Sequence, residues 1–404
     1  MTDTIVVIGG GHAAAALCGA LAEEGLATRT VMFSDESHLP YERPLLSKAF
    51  LADPNLQPQT LGQVTRFADS GLDVKLGQRI VRLDRVRRLV VTAEGGHVPY
   101  GRLVLALGAT SRRLPGLPGN LDNVLALRSV EDAVRLRSAL SKGGSVTIVG
   151  AGFIGLEVAA TARQLGCEVT VLEAGPRILG RAVSATMAEH ARQRHAANGI
   201  RIRTGVRLGS ACTDGRMLTG IEVDGRMEPV ELLLVGIGAV PSIALAEEAG
   251  IACDDGILVD AAMRTSDPDI LAIGDCARYD CGRYGRSLRL ESVQSANDQA
   301  SAAAATLAGR PGDTYGALPW FWSDQGDLRL QMTGLFSMET DQRVRPGKAP
   351  GTFSIFHFSQ GNLRFVESIN ASSDHVIAKK LIANGKVIEP DKVGDLTVPL
   401  RAFL

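Results

Sequence analysis

The chain has 404 residues, more than one hydrophobic core ordinarily organises, and its 45% hydrophobic content supports two or three domains. Lys and Arg number 43 against 44 Asp and Glu, so the net charge of −1 excludes an overall basic field for nucleic acid or an anionic membrane. Cys18, Cys167, Cys212, Cys253, Cys276 and Cys281 form no Cys-x-x-Cys pair and no cluster with histidine, which reads as buried thiols in a reducing cytoplasm and no metal centre.

The first apolar stretch, Thr4 to Ala22, reads as core rather than as a secretory h-region, because Met1-Thr2-Asp3 supplies no basic flank and the stretch contains a glycine motif. No transmembrane span is expected elsewhere. Thr4 to Ile8 reads as a buried parallel strand, followed by Gly9-Gly10-Gly11-His12-Ala13-Ala14, a Gly-x-Gly-x-x-Ala turn opening an Ala/Leu helix to Gly25. A second strand, Thr28 to Phe33, runs to Asp35-Glu36. This is a dinucleotide fingerprint, in which the first glycine, Gly9, permits the tight turn and the second, Gly11, lets the backbone approach a pyrophosphate at a helix N-terminus. His12, Ala13 and Ala14 line the turn, His12 as a turn residue rather than a catalyst. Asp35 is the candidate ribose acid and Glu36 its close rival.

Val74 to Leu83 and Leu89 to Val98 read as a small β excursion, with Arg82, Arg85, Arg87 and Arg88 as a solvated hairpin face. Gly116-Leu117-Pro118-Gly119-Asn120 is loop chemistry, and Ser129 is a candidate N-cap for a helix from Val130. Next comes Ser145 to Val149, then Gly150-Ala151-Gly152-Phe153-Ile154-Gly155-Leu156-Glu157, an Ala-rich helix, and Val169 to Glu173. Strand, glycines, helix and acid stand in register, so the fingerprint occurs twice, and two such folds ordinarily serve two different nucleotides. Glu173 would accept hydrogen bonds from the ribose and repel a 2′-phosphate, favouring NADH over NADPH. Phe153 and Ile154 form a candidate apolar ledge, and the turn at Gly238 lies at the end of a strand from Val230. His190 and His195 read as surface residues of a charged helix. Gly256 to Asp260 and Ile270 to Asp275 are two further strands, with Asp275 at a carboxyl edge where ligands bind, and Val293 precedes a helix from Gln294 to Leu307. Pro319-Trp320-Phe321-Trp322 opens a last domain with alternating strands from Leu328 and from Thr352, and a helix follows Asp374-His375.

Tyr41-Glu42-Arg43-Pro44-Leu45-Leu46-Ser47-Lys48, Leu103 to Ala109, Ile273-Gly274-Asp275-Cys276-Ala277, Leu290 to Ala296 and Pro319 to Gln325 together resemble the NADH-dependent ferredoxin reductases of bacterial oxygenase systems, relatives of putidaredoxin reductase and biphenyl dioxygenase ferredoxin reductase. The resemblance implies an α/β fold with two Rossmann-like dinucleotide-binding domains, glutathione reductase-like, and a small α+β C-terminal domain. The expected domains are 1–115 (FAD, first part), 116–242 (NAD), 243–319 (FAD, second part) and 320–404 (C-terminal interface). It further implies FAD contacts from Arg43, Lys48, Ile80, Ala106, Gly108, Arg128, Asp275 and Val293, with the Lys48 ammonium near flavin N5 and the Glu157 carboxylate. One tryptophan, here Trp320, would stand beside the isoalloxazine. Lys48, Glu157 and Trp320 are thus the candidate catalytic residues. Gly150, Gly152, Phe153, Ile154, Gly155, Glu157, Glu173 and Gly238 are the NAD(H) candidates.

The implied activity takes hydride from NADH onto FAD and passes single electrons to a transient [2Fe–2S] ferredoxin feeding a Rieske dioxygenase or cytochrome P450. The implied protein is a cytoplasmic monomer or weak homodimer. Arg286, Arg289, Arg343 and Arg345 are candidates for steering an acidic ferredoxin. Two alternatives stand beside this reading. An apoptosis-inducing-factor-like protein would hold FAD and respond to NADH by changing shape, and it shares the Lys48 and Glu157 pattern. A disulfide or peroxide reductase needs a redox cysteine soon after the first ribose acid, where Pro44 to Lys48 holds none.

Overall fold

Runs such as Ile5-Val6-Val7-Ile8 and Leu232-Leu233-Leu234-Val235 show no polar alternation, the mark of strands covered on both faces. In the computed structural model, which describes residues 3–310 and 315–404, each is fully buried inside a parallel sheet. The Met1-Thr2 opening lies outside the described residues. The chain gathers into two units, one of Met1–Glu42, Pro58–Thr110 and Ala239–Ala317, the other of Arg43–Gln57, Ser111–Gly238 and Leu318–Leu404.

In the first unit a five-stranded parallel sheet has the order Ile270–Ala272, Arg102–Leu105, Ile5–Ile8, Thr30–Phe33, Asp73–Lys75. Val74, expected in the β excursion, instead pairs with Met32 at the edge of this sheet. The excursion proper is the antiparallel set Ile80–Asp84, Leu89–Thr92 and His97–Pro99. Its arginines are not all solvated. Arg85 donates to Asp267 at 2.8 Å and to the carbonyls of Ala249 and Gly250, and Arg88 pairs with Asp269. Helices His12–Glu23 and Val293–Leu307 pack closely because their buried contact faces are mostly small, with Ala14, Ala15 and Cys18 on one and Ala296, Ala300 and Ala303 on the other.

The second unit repeats the parallel design in the order Arg201–Thr204, Glu168–Glu173, Ser145–Val149, Leu232–Val235, Val124–Leu125. Ser129 caps the helix Val130–Leu140 as expected, and Asp132 completes a capping box by reaching back to its backbone N–H. The C-terminal sheet is antiparallel and five-stranded, in the order Trp320–Gln325, Leu328–Gly334, Asn362–Ile369, Phe353–Ser359, Asp341–Pro346, with helix Ser372–Ala383 packed on it. Segment Arg43–Gln57 is tied into this unit by Arg137, which donates to the carbonyls of Phe50, Asp53 and Leu56 and lies over the Phe50 ring at 4.3 Å.

Arg345 is no steering charge. It is buried, and its guanidinium donates to the carbonyls of Val393, Asp395 and Val398 at 2.7–3.0 Å, holding the end of the chain. The cysteines correct a second expectation. All six are free, but only Cys18, Cys167, Cys276 and Cys281 are buried, while Cys253 is half-buried and Cys212 exposed. Among the described residues no helix is long and apolar enough to cross a membrane.

Candidate active site

Both glycine motifs begin in a left-handed turn packed against a neighbouring carbonyl. Gly9 has φ +130° and lies so close to the Ala106 carbonyl that a Cβ would collide with it; Gly150, at φ +104°, meets the Gly236 carbonyl in the same way. The helices that follow start on Gly11 and Gly152, with no side-chain cap and no acid in the first turn. By contrast, serine hydroxyls cap the helices that start after Ser129, Ser184 and Ser292. Uncapped amides at the positive end of a helix macrodipole suit a phosphate.

In the first unit, Ala13 lies under Gly274, whose Cβ would come within 2.9 Å of the Ala13 methyl, so the Gly274-Asp275 turn sits against the fingerprint helix. The Gly274 amide donates to Gln299 Oε1 at 2.7 Å. His12 is buried with Nε2 3.4 Å from Glu42. Asp35 is exposed, whereas Glu36 is half-buried and accepts from the Tyr41 hydroxyl at 2.5 Å. Ile80 and Ala106 are buried, Gly108 has φ +65°, and Val293 is half-buried behind the Ser292 cap. Burial pushes the Cys18 thiol up to about 12 and that of Cys276 up to about 11, leaving both protonated and poor nucleophiles.

In the second unit, Lys48 and Glu157 are brought together, with Lys48 Nζ 2.7 Å from Glu157 Oε2. Glu157 is no simple helix-cap carboxylate. It is the fifth residue of helix Phe153–Gln164, 3% exposed, and is met by three donors from two separate stretches of chain. Ser47 donates to Oε2 at 2.5 Å, Ser323 to Oε1 at 2.6 Å, and Lys48 completes the set. Lys48 also donates to the Pro44 carbonyl at 2.9 Å, and Thr161 holds the Ser47 carbonyl at 2.8 Å. Arg43 donates to the Arg128 carbonyl at 3.0 Å. Phe153 packs on Phe321 with ring centroids 4.7 Å apart, and Ile154 is exposed.

The Glu173 carboxylate accepts from Ala151 N at 2.8 Å and Gly175 N at 2.7 Å, tying the glycine turn to the end of the second strand. Gly238, at φ +98°, accepts through its carbonyl from Arg112 N at 2.9 Å. Trp320 lies on the other face of its strand from Ser323. It stacks on Trp322 with centroids 5.4 Å apart, and Lys379 Nζ stands 4.6 Å over its ring.

Four residues of this site escaped the sequence reading: Ser47, Ser323, Gln325 and His195. The two-residue period of Phe321, Ser323 and Gln325 was the available signal for one face. His195, expected at the surface, is 1% exposed and bonds Gln325 at 2.8 Å. Burial lowers its pKa from the ordinary value, against Gln325 and Asp327, which raise it.

Residues 3–300 match the Pyridine nucleotide-disulphide oxidoreductase family and residues 320–404 the Reductase C-terminal family. The chain is 39% identical to rhodocoxin reductase of Rhodococcus erythropolis, over 98% of this chain and 93% of that one. It is 38% identical to the anthranilate 1,2-dioxygenase system ferredoxin–NAD(+) reductase component of Burkholderia cepacia, over 100% and 99%. The reductase in the crystal structure of the covalent putidaredoxin reductase–putidaredoxin complex superposes with a TM-score of 0.93 at 33% identity, covering 99% of this chain and 98% of that one. The chain therefore belongs to the pyridine nucleotide-disulphide oxidoreductases, as a ferredoxin reductase whose last part is a Reductase C-terminal domain.

Proposed function

We propose that this protein is an FAD flavoprotein that takes hydride from NADH and delivers electrons one at a time to a [2Fe–2S] ferredoxin serving a Rieske dioxygenase or a cytochrome P450. The observation that carries the reading is the Lys48–Glu157 ion pair at 2.7 Å, set at the start of a fingerprint helix. FAD, when bound, supplies the conversion of a two-electron donor into single-electron steps that an iron–sulfur centre accepts. The first unit fits that group, since the Gly9 turn packs its backbone against the Ala106 carbonyl and leads into a fingerprint helix whose first amides have no side-chain cap. Gly9, Gly11, His12, Ala13, Ala14, Asp35 or Glu36, Ile80, Ala106, Gly108, Asp275 and Val293 would hold it there. Gly150, Gly152, Phe153, Ile154, Gly155, Glu173 and Gly238 would hold NADH, with Glu173 excluding a 2′-phosphate.

The residues of this chain bind, orient and supply fixed charge, and none acts as a nucleophile. Lys48 supplies the cation, and Glu157 fixes the ammonium in place. Thiol chemistry is not part of the reading, because Cys18 and Cys276 are buried and held protonated. Free cysteines throughout accord with a reducing cytoplasm. An anaerobic NADH titration of the yellow holoprotein tests the proposal. Bleaching with one equivalent, followed by cytochrome c reduction only when a ferredoxin is added, is the expected result. Slow bleaching with a long-lived charge-transfer band would favour an NADH-responsive binding protein instead.

A further inference from the structure

The polar contacts of Glu157 do not stop at Ser323. Gln325 Nε2 lies 3.1 Å from Ser323 Oγ, and Gln325 Oε1 lies 2.8 Å from His195 Nε2. Ser323, Gln325 and His195 are all buried, at 0%, 1% and 1% exposure, so each donor and acceptor must be satisfied inside the chain. We infer that Ser323, Gln325 and His195 are positioning residues, forming a one-way hydrogen-bond chain that begins at the Nε2–H tautomer of His195 and keeps Glu157 an ionised, fixed carboxylate. This rests on the role given above to the Lys48–Glu157 pair.

The direction follows from counting protons. Glu157 Oε2 already receives hydrogen bonds from Ser47 at 2.5 Å and Lys48 at 2.7 Å, which favours the carboxylate. At 2.6 Å from Oε1, the Ser323 hydroxyl must then donate. Its oxygen is left to accept, so the nearer group of Gln325 is the amide N–H2. That turns the Gln325 carbonyl toward His195, whose Nε2 must carry the proton. Reversal would point the Ser323 proton at Gln325 and leave two bare oxygens 2.6 Å apart unless Glu157 were protonated. The tautomer of His195 and the charge of Glu157 are therefore one variable.

A second observation agrees with the neutral ring. The groups facing His195 are Gln325, which bonds it, and Asp327, whose carboxylate is engaged by Arg194 and by Asn198 at 3.3 Å. Burial outweighs their pull and lowers the His195 pKa. In the proposed reaction such a chain holds the Glu157 carboxylate, and so the Lys48 ammonium, without reorganisation.

The test uses the full-length holoprotein labelled with 15N-histidine, in which His195 is identified by the resonance lost in His195→Gln. At neutral pH, Nε2 should be protonated and Nδ1 bare. A protonated Nδ1 with bare Nε2, or an imidazolium, would overturn the inference. Carboxyl-13C glutamate labelling then follows Glu157, assigned through Glu157→Gln. In Ser323→Ala and in Gln325→Glu, whose carboxylate accepts but cannot donate, the Glu157 carboxyl resonance at neutral pH should leave its wild-type position. His195→Gln, which keeps an N–H donor, should retain the wild-type resonance, whereas His195→Leu should not. Resonances unmoved in all folded variants would reduce these residues to packing. Neither readout needs NADH oxidation, so a failure of the proposed activity is seen separately.

Discussion

Glu157 and Lys48 are unequal partners, because Glu157 is almost wholly buried while Lys48 reaches the boundary, its side chain 21% exposed. Removing the cation leaves the anion in place with two hydroxyl donors, and an uncompensated buried charge costs about 3 kcal/mol. Lys48→Met should therefore lower stability in urea unfolding, and Lys48→Met combined with Glu157→Gln should recover most of the loss. In stopped flow, both variants should reduce the flavin more slowly than wild type with little change in NADH binding. Equal stability of Lys48→Met and wild type would mean that the ion pair adds nothing net to the fold. In the proposed function Glu173 would have a double duty, since its oxygens already hold the Ala151 and Gly175 amides. Glu173→Ala should narrow the NADH-to-NADPH ratio in kcat/KM about tenfold, the value of roughly one charge-assisted hydrogen bond. An unchanged ratio would remove Glu173 from the ribose.

At the scale of elements, helix Ser372–Ala383 carries a pH dependence. Burial of His375, with Lys379 and Arg329 nearby, lowers its pKa from 6.5 to about 4, and its Nδ1 has no partner. Between those values the unfolded chain binds a proton that the folded chain refuses. Stability is complete above pH 6.5 and is lost as pH falls toward 4, by up to about 1.4 kcal/mol per pH unit. Asp374, raised by burial, opposes this nearer its own range. His375→Gln should flatten the slope of urea midpoint against pH between 6.5 and 4.5. What the sequence made legible at this scale was local. Each glycine turn, its strand and its helix lie within about thirty residues, so spacing alone located them. Long-range closure was not legible: His195 follows Arg194 on a charged helix yet meets Gln325, 130 positions on, and Val74 is recruited by Met32. Arg345 looked like a surface charge because the carbonyls it holds belong to the last turns of the chain, which have no sequence pattern of their own.

For the molecule as a whole, the near-zero net charge means that attraction for an acidic ferredoxin must come from a local patch. Of the four arginines considered, Arg345 is buried, Arg289 is largely buried and paired with Glu291, and Arg343 pairs with Asp391, while Arg286 is exposed. Raising ionic strength from about 0.05 to about 0.5 M should slow ferredoxin-coupled turnover several-fold and leave flavin reduction by NADH unchanged. Salt-independent turnover would shift the weight of docking to apolar contact. The chain passes between the two units at 42/43, 57/58, 110/111, 238/239 and 317/318, so neither unit is a continuous stretch of chain. The uneven exposure of the six thiols has a practical corollary. A maleimide dye added to the native protein should couple first at Cys212, on strand Leu208–Asp214 in the second unit, giving a fluorescent reporter at a known position without engineering.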